Sequence, residues 1–182
     1  MHNLPNVITL ARLVLVPVMA LCVAGGAYAA GAIVFLVAAL SDLADGYIAR
    51  RFALVSRLGA FLDPVADKLN MFVATVLLAW QGLVPLWLAA AIIGRDAVIV
   101  GGAIAWRFAR GKLTIEPTYL SKVNTVLEFA VLVLVMAVAA GWIESGTWLD
   151  VAFAIVLVTV VASGAQYVWI WGRAALASRP PS

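Results

Sequence analysis

Six stretches of the chain, each of about 20 predominantly apolar residues, constrain the fold more tightly than any other feature. They run over residues 7–23, 29–48, 60–80, 86–106, 119–140 and 148–171. A helix rising 1.5 Å per residue needs about 20 such residues to cross the roughly 30 Å of hydrocarbon in a bilayer. Hydrophobic residues make up 65% of the chain and charged residues 12%, against roughly 45–50% and about 25% in soluble domains. A water-soluble fold of 182 residues with this composition would lack the polar surface to cover its core. In lipid every backbone N–H and C=O must find a partner within the protein, so helices are the expected element. The expected fold class is all-α: a polytopic membrane protein with six transmembrane helices, residues 1–182 forming one membrane domain.

Turn-forming residues separate the stretches. Breaks fall at Gly25-Gly26, from Gly82 to Pro85, around Gly111 to Pro117, and from Gly141 to Gly146. The first stretch is followed by an Ala27-Tyr28-Ala29 pattern, as at a signal-peptide cleavage site. No Lys or Arg precedes it, however, and Arg12 lies inside it. It reads as a retained first helix.

Basic residues then orient the chain. Arg50, Arg51 and Arg57 lie between the second and third stretches, Arg107, Arg110 and Lys112 between the fourth and fifth, and Arg173 and Arg179 in the tail. On the opposite side the last connection carries only Glu144 and Asp150. An excess of Lys and Arg marks cytoplasmic connections, so both termini and the basic loops are expected in the cytoplasm. Trp142 and Trp148 on one side, and Trp106 and Trp171 on the other, suit the two interfaces. The net charge of +3 is scattered over helix ends, which fits anionic lipid and no nucleic acid. One cysteine, Cys22, has no intrachain partner, and the one histidine, His2, is terminal. A His-based metal site or a catalytic triad is therefore not expected.

The residues most informative about chemistry are four aspartates near the basic ends of the second and third stretches. Asp42 and Asp45 are three apart and Asp63 and Asp67 four apart, so each pair shares a helix face. The short loop between them makes the two helices antiparallel neighbours, so the pairs can converge. Ionisable groups at membrane depth are costly and are functional candidates by default. Converging carboxylates need protons or cations, and an all-oxygen donor set suits Mg²⁺, Mn²⁺ or Ca²⁺. Two such ions could clamp a phosphoryl group during displacement. An ion-pair network with Arg50, Arg51, Arg57 and Lys68, or ordinary interfacial charge, is the alternative. Gly46 follows Asp45, and Gly59 lies one turn before Asp63. Either glycine can serve close helix packing or the close approach of a ligand.

The run Asp42-Leu-Ala-Asp45-Gly46-Tyr-Ile-Ala49-Arg50, followed by Gly59-Ala-Phe-Leu-Asp63-Pro-Val-Ala-Asp67, resembles the signature of the CDP-alcohol phosphotransferase family. That signature reads D-x2-D-G-x2-A-R-x8-G-x3-D-x3-D, and every position matches. The six-span layout also resembles the family. The resemblance implies that Asp42, Asp45, Asp63 and Asp67 hold two divalent ions, Mg²⁺ or Mn²⁺. It implies that Asp67 is also the catalytic base toward the acceptor hydroxyl. It assigns Asp45, Gly46, Ala49, Arg50 and Gly59 to the binding of the cytidine diphosphate group. A homodimer is usual in the family.

The family varies its acceptor alcohol. The opening Asn3-Leu4-Pro5-Asn6-Val7-Ile8-Thr9-Leu10-Ala11-Arg12 looks like the start of the phosphatidylglycerophosphate synthase and cardiolipin synthase branches. Arg12 fits either an anionic headgroup or a structural partner of the acidic cluster. Pro117-Thr118 and Ser121-Lys122-Val123-Asn124-Thr125 resemble the CMP-forming cardiolipin synthases. So does the spacing of Arg95 and Arg107. Phosphatidylglycerophosphate synthases tend to carry another arginine where this chain has Ala103, and Gly94 stands where serine is usual in both branches. The resemblance thus implies CDP-diacylglycerol as donor and phosphatidylglycerol as acceptor, with glycerol 3-phosphate as the alternative. Arg95 and Lys122 are the candidate acceptor-binding cations, and pairing of Arg95 with Asp96 is the local alternative. Glu116 and Glu128 carry no assignment. A small cation transporter is a reading of another class. It fits less well, because the acids gather near one membrane face around a basic loop.

Overall fold

In the computed structural model the backbone is described for residues 4–52, 57–110 and 118–177, and the side chains for 14–41, 68–106, 108 and 118–174. Within that backbone every regular element is a helix, and six occur: α1 (Leu4–Ala24), α2 (Tyr28–Phe52), α3 (Arg57–Trp80), α4 (Leu86–Arg110), α5 (Tyr119–Ala139) and α6 (Thr147–Ala177). Three contain spans long and apolar enough to cross a membrane: Leu86–Trp106, Tyr119–Ala139 and Thr147–Ala174. In α1, α2 and α3 the described side chains give shorter apolar stretches, Val14–Ala24, Tyr28–Ser41 and Lys68–Trp80.

The turns after α1, α3 and α5 are built alike. Each helix ends in a glycine of positive φ: Gly26 at 76°, Gly82 at 74° and Gly141 at 74°. That left-handed backbone favours glycine, which lacks the Cβ that would clash. The residue after each glycine donates its N–H back across the last turn, from Ala27 to Cys22 O, Leu83 to Leu78 O and Trp142 to Ala137 O. The glycines themselves donate to Val23 O, Ala79 O and Val138 O. Carbonyls that the helix would leave unpaired at its end are thereby satisfied before the chain turns. The helix starts are equally specified. Pro85 opens α4, its carbonyl accepting from Leu88 and Ala89. The Thr118 hydroxyl caps α5 by accepting from the Ser121 N–H at 3.2 Å. Asp150 sits in the first turn of α6, where a negative charge suits the helix dipole.

The chain divides into two compact units, residues 1–84 with 132–145, and residues 85–131 with 146–182. In the first, α1 packs against α2 and α3, and α2 meets α3. Its core includes Met19, Val23, Phe35, Ala38, Ala74 and Leu78. A Cβ on Gly31 would lie 2.8 Å from Val23 Cγ2, so α1 and α2 come too close there for a larger residue. Gln81 Nε2 donates to Val23 O at 2.8 Å, a second hydrogen bond to the carbonyl that already accepts from Gly26. In the second unit α4 packs against α6. There a Cβ on Gly102 would fall 1.7 Å from the Trp171 ring, which fills the space the glycine leaves. Large apolar side chains such as Leu21, Trp80, Phe108 and Val158 remain exposed. A membrane, not water, is the solvent such faces suit.

Candidate functional site

In the first unit, the helical register locates the signature residues. The buried positions of α3 include Asn70, Ala74 and Leu78. At 100° per residue these form one stripe, and positions 67 and 63 continue it toward the start of the helix. In α2 the buried positions Phe35 and Ala38 likewise lead on to positions 42 and 45. Both helices run unbroken through these positions. The side chains of Asp42, Asp45, Gly46, Ala49, Arg50, Gly59, Asp63 and Asp67 lie outside the described residues, as does that of Arg12. Among the described residues no group of three or more His, Cys, Asp or Glu could hold a metal ion.

Past the exposed Lys68 and Leu69, the first buried side chain described in α3 is a polar one, at position 70. Asn70 is 4% exposed, and its Oδ1 is buried without a hydrogen-bond partner among the described residues. The other buried polar residue of α3, Thr75, donates to Met71 O at 2.9 Å. On α2, Ser41 similarly donates to Val37 O at 2.8 Å.

The second unit carries a seam of buried polar residues with three rungs. At the first, the Thr118 N–H donates to Tyr167 Oη at 3.3 Å. At the second, Arg95, 6% exposed, reaches from α4 to both other helices. Its Nη1 donates to Asp96 Oδ1 at 2.7 Å. Its Nη2 donates to Ser163 Oγ at 2.9 Å and also to Ser121 Oγ. At the third, Thr159 Oγ1 donates to Asn124 Oδ1 at 2.8 Å, and Asn124 Nδ2 donates to Glu128 Oε1 at 2.7 Å. Thr159, Ser163 and Tyr167 are four residues apart on α6, and Thr118, Ser121, Asn124 and Glu128 three to four apart on α5. The rungs therefore pair two antiparallel helix stripes in fixed register.

The two candidate acceptor cations have different surroundings. Arg95 is buried and both its terminal nitrogens are engaged, only its Nε–H lacking a partner. The local pairing with Asp96 is thus present. Lys122 follows Ser121 on α5 and its side chain is exposed. Adjacent helix residues point about 100° apart, so Lys122 leaves the seam that Ser121 joins.

The model of the CDP-alcohol phosphatidyltransferase family matches residues 2–176, nearly the whole chain. The chain belongs to this family. Among similar proteins is a cardiolipin synthase (CMP-forming) / mitochondrial hydrolase fusion protein of Schizosaccharomyces pombe, 37% identical over 91% of this chain and 30% of its own length. A CDP-diacylglycerol–glycerol-3-phosphate 3-phosphatidyltransferase of Bacillus subtilis is 39% identical over 56% of this chain and 60% of its own length. One of the same name from Escherichia coli is 35% identical over 78% and 81%. The chain thus spans less than two thirds of the first two relatives and most of the third. As in the sequence resemblance, both acceptor branches of the CDP-alcohol phosphatidyltransferases are represented.

The sequence reading singled out neither Asn70 nor Ser163, Thr159 and Tyr167, and left Glu128 unassigned. A signal was present: hydroxyl-bearing residues four apart in the largely apolar α6, and an amide on the stripe of positions 63 and 67. Polar residues in membrane helices face other helices or a cavity, because lipid cannot satisfy them.

Proposed function

We propose that this chain transfers a phosphatidyl group from CDP-diacylglycerol to phosphatidylglycerol, forming cardiolipin and releasing CMP. The observation that carries the reading is the complete family signature from Asp42 to Asp67, on positions that continue the buried stripes of two neighbouring helices. The family implies divalent cations. The donor set fits them, since four carboxylates at three- and four-residue spacing, with no His or Cys nearby, offer the hard oxygen ligands that Mg²⁺ or Mn²⁺ takes. In this reading Asp42, Asp45, Asp63 and Asp67 hold two ions. Bound there, the ions would neutralise the diphosphate and stabilise charge on the departing phosphate.

The chain's own residues do the rest. Asp45, Gly46, Ala49, Arg50 and Gly59 receive the cytidine diphosphate, the glycines leaving room for backbone to approach it. Asp67 takes the proton of the acceptor hydroxyl. The hydroxyl oxygen then bonds to the phosphorus that carries diacylglycerol, and the bond from that phosphorus to the CMP oxygen breaks. Lys122 supplies an exposed cation toward the anionic acceptor. Arg95 contributes its unpaired Nε–H and holds Ser121, the residue before Lys122, in place. The chain crosses the bilayer six times as one membrane domain and works as a homodimer. Its termini and active site face the cytoplasm, where the basic connections lie.

The glycerol-3-phosphate transferases among the relatives favour a second acceptor, glycerol 3-phosphate. A panel assay decides. Purified protein receives CDP-diacylglycerol, Mg²⁺ or Mn²⁺, and in turn phosphatidylglycerol, glycerol 3-phosphate or inositol, and the lipid formed is identified by mass. Cardiolipin is expected with phosphatidylglycerol. Product from glycerol 3-phosphate alone would replace the acceptor and keep the chemistry. Ion flux in vesicles with no CMP released from any mixture would favour a transporter.

A further inference from the structure

The first unit leaves one buried polar atom unanswered on the stripe that carries the signature. Asn70 is a core residue of α3 whose amide oxygen is buried and has no donor among the described residues. A buried acceptor left empty is costly, and native proteins keep few. Position 70 lies three residues past position 67, about 4.5 Å further along the helix axis and on the same stripe. From the start of α3 the order is therefore Gly59, Asp63, Asp67, Asn70.

We propose that Asn70 Oδ1 accepts a hydrogen bond from the acceptor alcohol, specifically from the hydroxyl next to the attacking one, so that the site selects a vicinal diol. The proposal rests on the phosphatidyl-transfer reading above. In an in-line displacement the attacking and leaving oxygens lie on opposite sides of phosphorus. Gly59 marks the nucleotide side and Asp67 the side of the base. On that reading Asn70 is the next position of the stripe after the base and about three turns from Gly59, so the alcohol that Asp67 deprotonates is the nearer ligand. A carbonyl oxygen needs a donor; the phosphate and ester oxygens of the reacting lipids have no hydrogen to give, and the cytidine hydroxyls and amine belong to the nucleotide that the signature residues receive nearer the start of α3. The alcohol does. The glycerol headgroup of phosphatidylglycerol and glycerol 3-phosphate both place a second hydroxyl beside the reacting one, so the chemistry is common to both acceptors. A site that hydrogen-bonds a substrate hydroxyl rejects the analogue lacking it, because the site's own polar group is then left unpaired.

The test compares acceptors with and without that hydroxyl. Phosphatidyl-1,3-propanediol is set against phosphatidylglycerol, and 1,3-propanediol phosphate against glycerol 3-phosphate. The wild-type protein is expected to prefer the glycerol member of its working pair by roughly tenfold in kcat/KM, the span of a neutral hydrogen bond. In Asn70→Ala and Asn70→Leu the ratio should fall to near one. Binding of CDP-diacylglycerol and the divalent concentration giving half-maximal rate should not move. A wild-type ratio near one overturns the proposal without any variant, as does a ratio that survives in both variants. A shifted divalent requirement in Asn70→Ala would place the oxygen on the metals instead and also overturn it. No CMP release from any acceptor by the wild-type protein refutes the phosphatidyl-transfer reading itself. CMP release without discrimination refutes only the role of Asn70.

Discussion

Two buried polar residues, one in each unit, make an instructive contrast. Arg95 carries a full charge, yet its terminal nitrogens are met by Asp96, Ser121 and Ser163. Asn70 carries only an amide, and its oxygen meets no donor among the described residues. The charged group costs more to bury, and there the protein has supplied its own partners. The seam around Arg95 ties α4, α5 and α6 in register and leaves only the Nε–H of that arginine unpaired. The stripe of Asn70 leaves an acceptor unmet among the described residues, and it continues into the aspartates of the signature. A charge whose terminal nitrogens are all met explains a fold, whereas an unmet acceptor on the stripe of the signature is where a ligand is worth seeking.

The contrast can be broken in order of effect. Asp67→Asn should lower CMP formation by roughly 10²–10⁴-fold, the range of general-base assistance, with disturbance of the ion site adding to it. Thermal stability in detergent should hardly change. A variant that melts early would mean that the stripe, like the seam, is architectural. Arg95→Ala should do the reverse. It strands two serine hydroxyls and removes one partner of the Asp96 carboxylate, a loss of about 2–3 kcal/mol. Hydrogen bonds between membrane helices average less than that individually. The melting temperature should fall while the affinity for CDP-diacylglycerol stays unchanged in the molecules that remain folded. An unaltered melting temperature would remove the seam from the architecture. Gly102→Ala drives a methyl group into the Trp171 ring and should cost about 1–2 kcal/mol, the lower part of the overpacking range because Trp171 is half-buried and can swing. Trp171→Leu in the same chain should recover most of that loss. If the double variant is no more stable than Gly102→Ala alone, the close approach of α4 and α6 has another cause.

Much of this was legible in the sequence because a bilayer leaves few choices. Four of the six starts, those of α2, α4, α5 and α6, fall within a residue of expectation, since Gly26, Pro85, Thr118 and Gly146 punctuate the chain there. The ends at the basic connections run further, α2 to Phe52 rather than 48 and α4 to Arg110 rather than 106. Hydropathy falls where arginines begin, but the helical hydrogen bonds continue through them. Charge decides where lipid ends and says little about where a helix ends. The family was legible because the spacing within each pair of aspartates is local to its own helix and the signature is long. Which serine meets Arg95, and that Asn70 Oδ1 meets no donor among the described residues, depend on how separate helices rotate against each other, and no spacing along one chain carries that. Trp171 shows the same limit. The sequence suggests an interfacial anchor, whereas its ring lies over Gly102 with Nε1 buried and unpaired.

The central claim is that the signature aspartates assemble a divalent site for phosphatidyl transfer, and release of CMP from CDP-diacylglycerol tests it most directly. The wild-type protein, Asp42→Asn and Asp63→Asn are each assayed with phosphatidylglycerol or glycerol 3-phosphate, with added Mg²⁺ or Mn²⁺ and again with chelator. The account predicts CMP from the wild-type protein only when a divalent ion is present. It predicts a loss on the order of 10³-fold or more in either variant, with folding preserved, as expected when a group required for charge stabilisation is removed. Turnover near the wild-type rate in Asp42→Asn or Asp63→Asn, or CMP release that chelator does not touch, would contradict it.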